Sequence, residues 1–416
     1  MGKPIAEWGM LERPLIRTAR PRHPDISVVR HLDALFDRAL LQRASDLHFE
    51  PYAEGLRVRA RIDGLLHEMA VHELSLRDAM ITRLKVLARM DIGERRLPQD
   101  GRMRISHQNQ AIDLRVSALP TVEGEKLVVR LQPIDTEPPQ LSDLGMLPND
   151  LACLKRVLHN GQGLVLATGP TGSGKTRTLY ACLHALHHPQ VNLTTVEDPV
   201  EIQFPGIHQV SVNERAGLGF ANTLRALLRQ DPDVLMVGEI RDLETAQIAL
   251  QGGQTGHLVL SSVHTNDAPS TLLRLLHMGL PAYQVAASVR LIIAQRLLRR
   301  LCEHCKTPQP TPPTGSGEEL PVHLGACAIY QPVGCAHCRQ GYRGRVGVFS
   351  LLLVSPGLQD ALLQYPSLQA LTQQAAREGM PTLRQAAWAQ VAAGQTSVAE
   401  VLLQTPDDEG PGHGGV

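Results

Sequence analysis

Eight consecutive residues, Gly169-Pro170-Thr171-Gly172-Ser173-Gly174-Lys175-Thr176, fit the pattern G-x-x-x-x-G-K-[ST] in full. Glycines let successive backbone N–H groups curl around an anion, and a helix starting there adds the positive end of its dipole. Lys175 is placed to reach the β- and γ-phosphates of a nucleotide such as ATP, and the Thr176 hydroxyl to ligate Mg²⁺. The flanks agree: an apolar run, 164–168, comes before and a helical stretch, 177–186, after. Three further groups stand at the ends of apolar runs, where ligands bind in open α/β sheets. Glu239 follows Val234-Leu-Met-Val237 and can organise the Mg²⁺ shell and polarise an attacking water. Glu197 is a candidate second acid after the run 193–196, and His264 a candidate γ-phosphate sensor after 258–260. Taken alone, the latter two also fit solvated loop residues.

A second chemistry is carried by cysteine. Of seven cysteines, four form the pairs Cys302-x-x-Cys305 and Cys335-x-x-Cys338. Two such knuckles complete a tetrahedral shell for Zn²⁺, and four protein ligands make the metal structural rather than catalytic. A redox pair is the competing reading, but no thioredoxin-like pattern surrounds either knuckle. Cys153, Cys182 and Cys327 read as ordinary residues, and the His184/His187/His188 group as surface.

The elements that must position these groups follow from hydrophobic patterning. In 28–43 an apolar stripe at helical spacing precedes the alternation Leu56, Val58, Ala60, Ile62, which runs into Asp63-Gly64, a hairpin signal. A helix over 77–90, another Asp-Gly at 100–101, and strands over 112–117 and 126–131 complete a small α+β domain. Prolines in 132–140 mark a boundary. Beyond it, short apolar runs alternate with helices, which implies a buried parallel sheet covered on both faces. After Pro281, residues Val285, Val289, Ile292, Leu297, Leu298 and Leu301 predict one long amphipathic helix. The resulting division is a flexible segment (1–24), the α+β domain (25–132), a linker (133–140), the nucleotide core (141–301), the zinc module (302–344), a helical region (345–404) and a disordered tail (405–416).

The 416 residues are 43% hydrophobic and 20% charged, with 41 basic and 41 acidic side chains, so disordered and strongly basic nucleic-acid-binding classes are disfavoured. Only 3% are aromatic, too few for an extended base-stacking surface. The neutrality is a cancellation: residues 1–130 hold 22 basic and 18 acidic groups, residues 131–288 only 9 against 14. With no membrane-length apolar run and no signal-like apolar stretch near the N-terminus, a cytosolic chain is expected.

Longer motifs carry a resemblance. Thr195-Val-Glu-Asp-Pro-Val-Glu201, the stretch from Leu228 to Asp242 and the stretch from Thr255 to Asp267 resemble the aspartate box, Walker B and histidine box of the type II secretion and type IV pilus assembly ATPases. Ala44-Ser-Asp-Leu-His-Phe-Glu-Pro51, Leu97-Pro-Gln-Asp-Gly-Arg102 and Leu119-Pro-Thr-Val-Glu-Gly-Glu-Lys126 resemble that family's ATPase-proximal domain. The resemblance implies a RecA-like P-loop core preceded by an α+β (PAS-like) domain and carrying the tetracysteine module. It also implies a homo-hexamer that binds ATP and Mg²⁺, is peripheral to the inner membrane and docks on a platform protein, without direct nucleic-acid contact. By motif, Arg102 and Arg115 are the candidate arginines that reach the phosphates.

Three departures accompany it. The chain reads as a short form without the family's larger N-terminal partner-binding domain. Ser350 stands where a glutamate is common, which puts a local salt bridge in doubt, and Gln251-Gly-Gly-Gln254 predicts looser packing there. A DNA-translocating motor and an ATP-binding scaffold without turnover remain the alternatives.

Overall fold

Alternating apolar residues build the first of the two large sheets. The computed structural model describes residues 24–107, 110–131, 138–309 and 328–406. The chain divides into two units, 1–134 and 135–416. Expectations for the N-terminal segment 1–23, most of the 133–140 linker, most of the 306–317 insert, Cys327 and the tail beyond 406 lie outside the described residues. No helix among the described residues is long and apolar enough to cross a membrane.

The first unit runs α1 (Pro24–Leu41), β1 (Asp46–Tyr52), β2 (Gly55–Ile62), β3 (Leu65–Glu73), α2 (Leu74–Leu87), β4 (Gln99–His107), β5 (Gln110–Thr121) and β6 (Gly124–Leu131). Its antiparallel sheet has the order β3-β2-β1-β6-β5-β4. One face, with Leu47, Phe49, Val58, Ala60, Leu114 and Val129, is buried against α1 and α2. Asp63 and Gly64 both adopt positive φ (49° and 90°), the requirement of the tight turn joining β2 to β3. The second Asp-Gly behaves differently. Asp100 and Gly101 lie inside β4, and a Cβ on Gly101 would fall 2.3 Å from the Ala88 carbonyl oxygen. That glycine marks a close backbone approach rather than a turn.

The polar face of this sheet is dense in arginine. Arg59 grips Glu50 with two hydrogen bonds of 2.8 Å, and Arg57 and Lys126 approach the same carboxylate. Arg61 donates to the Gly64 carbonyl at 2.8 Å. Arg102 and Arg115 stand directly opposite one another on β4 and β5, with Arg130 next across on β6. Lys85 and Glu125 form an ion pair of 2.6 Å with both side chains buried.

The second unit contains α3 (Pro148–His159), β7 (Gly163–Thr168), α4 (Lys175–Leu186), β8 (Leu193–Glu197), β9 (His208–Ser211), α5 (Phe220–Leu227), β10 (Val234–Val237), α6 (Leu243–Gln254), β11 (Leu258–Val263), α7 (Ala268–His277), α8 (Ala282–Ser288) and β12 (Val289–Leu301). A small ribbon of β13 (Thr307–Gln309) and β14 (Ile329–Gln331) follows, then β15 (Tyr342–Leu353) and helices α9 (Pro356–Gln364), α10 (Leu368–Arg377), α11 (Leu383–Ala392) and α12 (Val398–Gln404). The sheet order is β15-β12-β7-β11-β10-β8-β9, parallel from β12 to β9 with β15 antiparallel at one edge. Successive residues of one strand feed opposite cores. Leu164 and Leu166 join one cluster with residues of α5–α12, whereas Val165 and Ala167 join another with residues of α3 and α4. This is why the strands read as unbroken apolar runs.

The structure corrects several expectations. The long amphipathic helix after Pro281 is a short helix, α8, followed by the 13-residue strand β12. Residues 289–301 lie between β7 and β15 with both faces largely buried, so they lack the alternation of a half-buried strand, and β-branched Ile292-Ile293 favours the strand. Residues 345–353, placed in a helical region, likewise belong to β15. Packing around Gln251-Gly-Gly-Gln254 is close rather than loose. A Cβ on Gly253 would sit 3.1 Å from the backbone of Gly163, and one on Gly252 3.2 Å from the Val259 side chain. The two glycines let α6 lie directly on the sheet. Ser350 makes no ion pair; its hydroxyl donates to the Pro381 carbonyl at 2.6 Å.

Candidate functional site

The phosphate loop connects the end of β7 to the first turn of α4, so the strand, the loop and the helix N-terminus act as one anion cradle. Gly169 has φ +146°, and a Cβ there would lie 2.5 Å from the Gln295 carbonyl oxygen and 2.7 Å from Ser173 Oγ. Gly174, at φ +92°, forms the N-cap of α4. Lys175 Nζ donates to the loop's own carbonyls, Gly169 at 2.8 Å and Pro170 at 3.1 Å. Burial pulls this ammonium down to about 8, with Glu239 acting against the shift and Arg296 adding to it. A desolvated cation with only neutral partners binds a phosphate strongly, because the anion restores what burial removed. Thr176 is exposed beside it.

Two strand tips bring further groups to Lys175. Ser261 Oγ donates to the Val237 carbonyl at 2.7 Å and Ser262 Oγ to the Gly238 carbonyl at 2.8 Å, which locks the end of β11 to the end of β10. From these tips His264 and Glu239 converge. His264 Nδ1 lies 3.5 Å from Lys175 Nζ, and its Nε2 lies 3.5 Å from Glu239 Oε2. Arg241 pairs with the other Glu239 oxygen. Burial first, then the Lys175 charge, lowers the His264 pKa, so the imidazole is neutral at pH 7. A neutral ring has one donor and one acceptor nitrogen, the combination that can relay between an ammonium or phosphate and a carboxylate.

Glu197, at the end of β8, is buried, and three side chains hold its carboxylate: Tyr180 and Thr195 by their hydroxyls and Gln209 by its amide. Burial raises its pKa. The nearby acids Asp242 and Asp267 have a different use. Each caps a helix, α6 and α7, by accepting a backbone N–H, at 2.8 and 2.7 Å. Arg102 and Arg115 lie in the first unit, on β4 and β5.

Sequence reasoning missed three residues that brace the site. Gln295 and Arg296 lie in the middle of β12: Gln295 Nε2 donates to the Ser173 carbonyl of the phosphate loop at 2.8 Å, and Arg296 Nη2 to the carbonyl of Asn266, two residues past His264, at 2.9 Å. A buried arginine inside an apolar run was the available signal. Tyr180, wholly buried on α4, is the third.

The four knuckle cysteines lie together just past the end of β12. Their Sγ atoms all fall within 4.8 Å of one another, with individual separations of 3.9, 3.6 and 3.7 Å. A tetrahedron of thiolates about 2.3 Å from Zn²⁺ has edges of about 3.8 Å, so the donor set fits that ion. Backbone N–H groups of Gly334 and Cys335 point at the sulfurs of Cys305 and Cys338, at 3.3 and 3.2 Å, which suits thiolates. For Mg²⁺ the oxygen donors at hand, the Thr176 hydroxyl and the Glu239 carboxylate, are of the hard type that ion selects.

Comparison with known proteins decides the family. The family described as Type II/IV secretion system protein matches residues 22–403. The chain belongs to it. Among relatives of this secretion-family protein, the type IV pilus assembly ATPase PilB of Pseudomonas aeruginosa is 46% identical over 96% of the chain and 71% of the relative. The type II secretion system protein HxcR of the same species is 43% identical over 91% and 78%, and the type II secretion system protein E of Pectobacterium carotovorum 42% over 92% and 77%. The resemblance drawn from the motifs is thereby borne out. Of solved structures, the Legionella pneumophila ATPase DotB superposes with a TM-score of 0.67 at 21% identity, covering 93% of this chain and 97% of that one. The pilus retraction motor PilT with bound ADP gives 0.62 at 24%, covering 90% and 96%. At these identities the likeness concerns the fold. Family and phosphate loop together make the secretion-family protein a P-loop ATPase.

Proposed function

We propose that the chain is the ATP-hydrolysing motor of a type IV pilus, pseudopilus or type II secretion machine, working as a homo-hexamer on the cytoplasmic face of the inner membrane and docked to a platform protein. The observation that carries this reading is the convergence of Lys175, His264 and Glu239 from three strand ends. Residues 169–176 cradle the phosphates, and Lys175 neutralises charge on the β- and γ-phosphoryl groups. Thr176 would hold Mg²⁺, which would supply Lewis-acid stabilisation of charge on the phosphates. Glu239 polarises the attacking water, His264 senses the γ-phosphate, and Glu197 is the second acid. Arg102 and Arg115 are the proposed arginines that complete the charge around the phosphates. Zn²⁺ on Cys302, Cys305, Cys335 and Cys338 has a structural role, with no position left for substrate.

The relatives' names divide between pilus assembly and secretion, and both uses convert the same chemistry into motion. The test is phosphate release by the full chain with ATP and Mg²⁺, with and without duplex DNA at low and high salt. Mg²⁺-dependent turnover indifferent to DNA is expected. Stimulation by DNA that fades with salt would move the reading to a nucleic-acid translocator. Binding of ATP without any phosphate release would move it to a scaffold.

A further inference from the structure

Tyr180 lies five positions after Lys175 on α4 and is completely buried among Leu179, Ala181, Cys182 and Leu183. A phenylalanine would fill that space equally well, so the hydroxyl has a use beyond packing. It donates to Glu197 Oε2 at 2.5 Å. It also accepts from the Ile202 backbone N–H and from Gln209 Nε2, both at 3.4 Å. The other carboxylate oxygen accepts from Thr195 Oγ1 at 2.6 Å and from Gln209 Nε2 at 3.1 Å. Gln209 in turn ties down the loop after β8, donating to the Ile202 carbonyl at 3.0 Å and accepting from the Phe204 N–H at 2.7 Å. One buried phenol thus joins the helix that begins at the phosphates, the acid at the tip of β8 and the segment that follows that acid.

A buried carboxylate needs donors on both oxygens, and the positions of those donors fix its orientation. α4 carries Lys175 at its first turn, so any shift of that helix on phosphate binding reaches Glu197 through one hydrogen bond. We infer that Tyr180 is a positioning residue for ATP hydrolysis, holding the Glu197 carboxylate in its working orientation and coupling it to the phosphate-loop helix. The inference rests on the reading of Glu197 as the second acid.

The test is a double-mutant cycle on the full chain, with kcat and KM for ATP in the presence of Mg²⁺. Tyr180→Phe is expected to lower kcat on the order of tenfold, with KM changed less than about twofold. Glu197→Gln is expected to lower kcat about a hundredfold, and adding Tyr180→Phe to it to cost nothing further. A merely structural tyrosine would reduce the double variant in proportion, and that result overturns the inference. So does wild-type kcat in Tyr180→Phe beside an inactive Glu197→Gln. Wild-type kcat in Glu197→Gln removes the second-acid reading itself. Thr195→Val deletes one of the two donors on the opposite oxygen and reads the same anchoring without touching α4; its loss should also vanish in the Glu197→Gln background.

Discussion

Lys175→Ala is expected to reduce ATP hydrolysis at least about a hundredfold and to weaken nucleotide binding, while leaving the fold intact. The side chain is buried, and its ammonium donates to two loop carbonyls with the His264 ring beside it. In the free protein that is a poor exchange for water, and burial pulls its pKa to about 8. A γ-phosphate supplies the missing counter-charge, so the interaction strengthens as charge develops on the transferring group. Removing the ammonium also removes a desolvation cost, so the melting temperature should fall by no more than a few degrees. Phosphate release, fluorescent-nucleotide titration and thermal melting check the three parts. Retained turnover in a well-folded Lys175→Ala chain would remove the phosphate-loop assignment.

The second large effect concerns the metal. Among its described residues the tetracysteine region has little to hold it besides the sulfurs: a ribbon of three residue pairs, and a core in which Cys302, Ile329 and Tyr342 are the buried hydrophobic members. Structural zinc in such settings contributes about 10–16 kcal/mol of binding free energy that is also folding free energy. Purified chain should therefore carry one zinc per protomer. Chelation, or Cys335→Ser, should unfold the module and lower the melting temperature of the second unit by more than about 10 °C. The module follows β12, whose Gln295 bonds the phosphate loop, whose Arg296 bonds the Asn266 carbonyl and whose Arg299 makes a partly buried ion pair of 2.6 Å with Glu400. Loss of zinc should therefore also weaken nucleotide binding. Zinc-free chain with unchanged melting would show that the thiols serve some other purpose.

Residue types alone reveal whatever depends on local chemistry. The phosphate loop needs glycines and a lysine at fixed spacing, and the knuckles need paired thiols, so both are visible without the fold. Strands such as β7 and β10 announce themselves because burial on both faces leaves no polar residue in the run. β12 reads as a helix because its thirteen residues lack strict alternation and so fit a helix as well as a central strand, and its neighbours β7 and β15 lie far away in sequence. Gly101 and Gly253 mislead because a glycine's role depends on which backbone comes close, which is a tertiary fact. Tyr180 is invisible because its partner, Glu197, lies seventeen residues on, at the tip of β8. The meeting of Lys175 with His264, 89 residues apart, can be anticipated only by placing each at a strand tip.

Glu239 is the group that turns bound ATP into hydrolysed ATP in the proposed motor. Its carboxylate faces His264 and pairs with Arg241 rather than holding the fold together, and its side chain is 18% exposed. Glu239→Gln keeps the size and loses the base. Measured on one preparation of the full chain, ATP binding should stay within about threefold of the native value, while steady-state phosphate release falls at least about a hundredfold. Phosphate release at the native rate from Glu239→Gln chain that binds ATP normally would contradict that role.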